Sequence, residues 1–170
     1  MLRKLSDEES RSLEDSLAQN GVPFENQEEA EKHFFTLRDN DLAVLQKLNL
    51  EHPDLRLDFK AQSLKRLESF YFDCYIDNKI TIQIPKDEFE LLLSQYMRQV
   101  FVSNDMAEWM VFENDFAEGR YELGILYGYG SGGSEHYADG LSNREDNKAR
   151  TFLYDRFMLY VPAEREKEVQ

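Results

Sequence analysis

The segment that most restricts this chain runs from Pro85 to Phe101. Phe89, Leu92, Leu93, Tyr96, Val100 and Phe101 recur at helical spacing and form the widest apolar stripe in the sequence. A helix that is apolar over so wide an arc has to be enclosed, so it reads as the centre of the core. Pro85 stands at the start of that helix, where the first turn accommodates a residue without an N–H.

What encloses it is read from the flanks. Downstream, Trp109-Met110-Val111-Phe112 is apolar on both sides, as in a strand covered on both faces. Asn114 to Gly119 is turn material, and Tyr121, Leu123, Ile125 and Tyr127 then alternate. An antiparallel hairpin over 107–113 and 120–127 follows. Upstream, Leu64, Leu67, Phe70, Tyr71, Cys74 and Tyr75 mark a second strong helix that Asn78 ends. Leu55 to Phe59 reads as a short extended segment, Ile80, Ile82 and Ile84 as a half-buried strand, and Phe157, Leu159 and Val161 as a last strand.

The first fifty-odd residues read as helices. Ser6 and Glu9 make a capping box, Leu13 and Leu17 share a face, and Gly21 stops the helix. Asn26 with Glu29 opens a second helix bearing Ala30, Phe34 and Leu37. Asp39-Asn40-Asp41 interrupts it, and Leu42, Leu45 and Leu48 begin a third that His52-Pro53 ends. Helices first and strands later point to an α+β fold, with an N-terminal helical layer (1–53) packed on a mainly antiparallel sheet of about four strands. The 170 residues fit a single domain, and the charged stretch 163–170 is expected to fray.

Charge narrows the function. Thirty-four acidic residues against twenty basic ones leave a net −14. That field repels nucleic acid and anionic membranes and favours a basic protein partner. No run approaches the ~18 apolar residues of a membrane span. Cys74 is the single cysteine, so no internal disulfide forms. The charged N-terminus lacks the apolar core of a signal peptide, and the expected setting is the cytoplasm.

Chemical motifs are sparse. Gly128-Tyr129-Gly130-Ser131-Gly132-Gly133 spells G-x-G-x-x-G after a strand, a pattern that can cradle a pyrophosphate when a helix follows. No apolar-faced helix follows here, and no Lys-Ser or Lys-Thr completes a phosphate loop of the Walker type. The stretch is rich in tyrosine, glycine and serine, as adaptable contact loops are. Tyr129, Gly130, Ser131, Gly132, Gly133, Glu135, His136 and Tyr137 are therefore the candidate partner-binding residues. His33, His52 and His136 lie far apart with no zinc spacing, so no metal or cofactor is expected. Cys74 on its apolar helix face reads as an inert thiol, and no G-x-S-x-G serine motif is present.

Leu57-Asp58-Phe59 through Ser63-Leu64-Lys65-Arg66-Leu67-Glu68, then Tyr96-Met97-Arg98-Gln99-Val100, Trp109 and Tyr121-Glu122-Leu123-Gly124 form a further pattern. It resembles small uncharacterised bacterial α+β proteins in which "LDxxxxSLxxLE" opens a helix and "YxGEV" precedes a tryptophan-bearing strand. Arg98 and Gln99 stand in the glycine and glutamate places of the latter. The resemblance covers 55–127. It implies a relationship to toxin-immunity proteins and supplies no site residue. The reading is a non-enzymatic, acidic protein-interaction domain, an immunity protein masking a basic toxin in its narrowest form. The alternative is a small-ligand or nucleotide-binding enzyme using loop 128–133.

Overall fold

The computed structural model describes residues 11, 15–128, 132–133, 138, 141–144 and 148–169. The capping box at Ser6 and Glu9 lies outside them. Helix α1 spans Gln27–Glu51, α2 Ala61–Tyr75, α3 Lys86–Ser103, α4 Phe152–Met158 and α5 Glu166–Val169. Strand β1 is Val22–Pro23, β2 Ala107–Glu113, β3 Arg120–Tyr127 and β4 Gly132–Gly133. The fold is α+β with an antiparallel sheet in the order β1-β3-β2, and β4 adds two residues to β3.

The hairpin holds the expected bounds, Ala107 pairing Tyr127 and Glu113 pairing Tyr121. Buried side chains on both long strands fall at odd numbers, so one face meets the helices. The opposite face of β2 is open, and Met110 is 39% exposed. The two-sided cover expected for Trp109–Phe112 is therefore corrected to one-sided cover.

Helix α3 is the core helix, with Phe89, Leu93, Met97, Val100 and Phe101 fully buried. Phe101 is packed by the rings of Tyr127, Phe157 and Tyr160 at 4.8–5.5 Å between centroids. Helix α2 lies against α3. Its Tyr71 donates to Glu90 Oε1 at 2.5 Å, and its Ser63 accepts from the Tyr96 hydroxyl at 2.7 Å.

Four sequence readings give way for local reasons. Asp39-Asn40-Asp41 does not break α1, because Asp39 and Asn40 face outward, Asp41 is half-buried with a hydrogen bond from Gln95 of α3, and Ala30, Phe34, Leu45 and Leu48 carry the buried stripe through. The segment 55–59 is not extended. Arg56 and Phe59 adopt left-handed backbone, and Arg66 gathers the carbonyls of Leu55 and Arg56 at 2.7 Å each. Ile80, Ile82 and Ile84 do alternate inward onto the core, yet among the described residues no strand pairs with them. Instead the carbonyl of Asp73 takes the N–H groups of Lys79 and Ile80, and the Tyr75 hydroxyl donates to Ile84.

The last expected strand is instead the end of α4 and the turn that follows it. Leu153, Phe157 and Val161 are buried four apart, whereas Leu159 is 82% exposed. The buried Glu68 carboxylate caps this helix, accepting from the N–H groups of Phe152 at 3.1 Å and Leu153 at 2.8 Å. The C-terminal stretch, expected to fray, makes a 3-10 turn at Ala163–Arg165 followed by α5. Val169 is 1% exposed, and Arg165 donates to the Asn104 carbonyl.

Candidate functional site

A groove of about 480 Å³ opens where α1, α3 and the β1–β3 edge meet. The positive φ of Gly21 swings the chain into β1. A Cβ there would stand 2.9 Å from the Tyr121 carbonyl oxygen, so the close approach excludes other residues. Arg120 holds the segment in place through the carbonyls of Gln19, Asn20 and Gly21, and Asn114 through those of Leu17 and Asn20.

The walls are mostly apolar: Phe34 and Leu37 from α1, Leu91 from α3, Tyr121 and Leu123 from β3. At the rim Val22, Leu37 and Leu91 remain 42%, 42% and 48% exposed. Leucines 91–93 follow one another, and only Leu92 and Leu93 turn into the core. Leu91 is left facing the groove.

Polar groups form a short chain across α3 to α1. Arg98, 4% exposed, donates through Nη1 to Gln95 Oε1 at 3.0 Å, and Gln95 Nε2 donates to Asp41 Oδ2 at 3.3 Å. Burial raises the Asp41 carboxyl above its ordinary range; the Gln95 hydrogen bond opposes this and the charge of Glu88 adds to it. Among the described residues, no basic side chain forms an ion pair with Asp41.

A second opening of about 460 Å³ lies beside His52, Asp54, Arg66 and Asp73, with His52 packed against Phe70 at 4.8 Å. His33 lies on the exposed side of α1, its ring 5.0 Å from that of Phe24. Cys74 is buried, and burial, helped by the Asp73 charge, pushes its thiol up to about 11. The Tyr71 hydroxyl is likewise raised by burial and by its bond to Glu90. Among the described residues no group of three or more His, Cys, Asp or Glu is placed to hold a metal ion. Nor is any described helix long and apolar enough to cross a membrane.

Of the candidate loop, Tyr129, Gly130, Ser131, Glu135, His136 and Tyr137 lie outside the described residues. Gly132 and Gly133 run back along β3 opposite Leu126 and Ile125, the path of a hairpin. A pyrophosphate cradle needs those glycines between a strand and a helix N-terminus. Beyond them Ala138 is buried and its N–H donates to Ser94 Oγ at 3.0 Å. The loop residues were visible in the sequence as a composition. The groove was not, because its walls come from four separated stretches.

These features define a small α+β domain in which helices cover one face of an antiparallel hairpin and leave an open groove at its edge. The family model described as "Uncharacterised protein YwmA" matches residues 23–161, and the chain belongs to that family. "Uncharacterized protein YwmA" of Bacillus subtilis (strain 168) is 26% identical over 135 residues, covering 78% of this chain and 85% of the relative. No solved structure matches.

Proposed function

We propose that the chain is a non-enzymatic interaction domain of the cytoplasm whose partner is a basic protein. The observation that carries this reading is the groove. An acidic molecule with a net −14 charge keeps Val22, Leu37 and Leu91 exposed around a half-buried carboxylate. Isolated exposed apolar residues are ordinary, but a cluster rimming a concavity is the form of a contact surface. In its narrowest form the role is masking, in which the bound partner is a toxin whose activity falls when the complex forms.

The test is a pull-down with the tagged full chain from source-cell lysate at low and high salt, read by mass spectrometry. The expected result is a stoichiometric basic partner that high salt releases. For the masking form, adding one equivalent of the chain lowers the partner's own activity. An empty capture at both salts overturns the reading.

The second reading is a small-ligand or nucleotide-binding enzyme that uses loop 128–133; the groove, whose volume lies within the range of small-ligand sites, offers such a ligand a further place. That reading expects a stabilisation of about 2–3 kcal/mol at a hundredfold excess over the dissociation constant. Unchanged melting across a nucleotide and phosphate panel removes it.

A further inference from the structure

We propose that the groove between α1, α3 and β3 receives an arginine or lysine side chain from a basic protein segment, with Asp41 as its counter-ion. The inference rests on the interaction reading above and names the place and chemistry of the contact.

Three observations carry it. The cavity is about 480 Å³, ample for one long side chain. Its walls at Phe34, Leu37 and Leu91 match the aliphatic stem of a cationic residue, which packs on apolar surface while its head seeks a polar partner. Asp41 supplies that partner. It is desolvated, held by a single amide from Gln95, and lies within the field of Glu88, with no ion pair among the described residues. A cation seated there is attracted by the Asp41 carboxylate in a medium of reduced polarity, with Gln95 standing between Asp41 and the positive charge of Arg98. The overall charge disfavours a second copy of this chain as the occupant, because two such copies repel.

The test uses isotopically labelled full chain and three small probes, followed by amide chemical shifts in NMR titrations. Hexylguanidinium carries the cation and stem, hexylurea is its neutral counterpart, and hexanoate is the anion. Hexylguanidinium is expected to shift the resonances of Leu37, Asp41, Leu91 and Gln95 and to bind about tenfold more tightly than hexylurea. Asp41→Asn abolishes that difference. Leu91→Ser weakens both probes alike. Both positions are partly exposed, so both variants are expected to fold.

Equal binding of hexylguanidinium and hexylurea overturns the proposal and leaves a merely apolar groove. Tighter binding of hexanoate overturns it in favour of an anion site governed by Arg98. A concentration-dependent dimer that Leu91→Ser abolishes overturns it in favour of self-association. The two readings fail separately. If Asp41→Asn still captures the basic partner, the groove is not the contact but the interaction role stands. If the probes bind as expected and no partner is captured, the groove chemistry stands and the interaction role falls.

Discussion

The described residues form two apolar clusters, and α1 touches both. Its second half contributes Leu45 and Leu48 to a large cluster with α2, α3, α4 and the far end of the hairpin. Its first half contributes Ala30 and Phe34 to a small one with Val111, Tyr121 and Leu123. The large cluster is sealed at its centre, its edge at Leu55 and Phe70 meeting the opening beside His52, and its buried polar groups Ser63, Glu68 and Glu90 have partners. The small cluster opens along one side into the groove. The same helix is thus enclosed at one end and lines an open groove at the other. Most of the apolar surface is committed to stability, and the remainder is left unsealed at the groove.

That contrast can be broken first at the aromatic centre of the large cluster. Phe101→Ala removes a fully buried ring packed by three others, and a loss of about 4 kcal/mol is expected in urea unfolding. Glu68→Ala strips the cap from α4 and leaves two amides without their acceptor. A loss of about 3 kcal/mol is expected, with selective loss of amide protection at Phe152 and Leu153 in hydrogen exchange. Phe34→Ala lies in the small cluster at the groove wall, and about 2 kcal/mol is expected because solvent already reaches the site. A loss equal to that of Phe101→Ala would show that the two clusters act as one.

Gly21→Ala sharpens the comparison at the rim. It meets both a positive φ and the Tyr121 carbonyl, so about 1–2 kcal/mol is expected, with shifted resonances confined to β1 and the groove. The smallest effect lies outside both clusters. Arg150 and Lys79 hold the Asp77 carboxyl far below its ordinary value of 3.8. Because its folded value is depressed, its contribution is present above pH ~4 and lost as pH falls toward the folded value. Asp77→Asn is expected to flatten the acid limb by lowering stability slightly at neutral pH while leaving it unchanged near pH 2, as thermal melts from pH 2 to 7 would show.

The hairpin, α2 and α3 were legible because each repeats its own period over enough residues to exclude the other. Two losses came from periods that fit both templates. Phe157, Leu159 and Val161 alternate, but Leu153, Phe157 and Val161 also lie four apart, and only the exposure of Leu159 decides between them. The isoleucines at 80–84 alternate inward as a strand would, yet a strand also needs a neighbour, which local sequence does not specify. The groove was illegible because Gly21, Phe34, Leu91 and Tyr121 meet only in the fold. One signal was present: three successive leucines cannot all enter the same side of a helix, so Leu91 had to face elsewhere.

The clamp that Arg120 and Asn114 place on residues 17–21 joins positions separated by 94 to 101 residues. During synthesis the first of these segments leaves the ribosome long before the second exists. Strand β1 and the groove rim therefore have to wait, unpaired, until the hairpin has emerged and folded. Closing so long a loop adds entropy cost slowly with length but delays the contact. The groove rim thus cannot form before the hairpin has emerged, nor can the core be completed, because Leu153, Phe157 and Val161 follow the hairpin in the chain, and a ribosome paused before Arg120 holds a chain that lacks both.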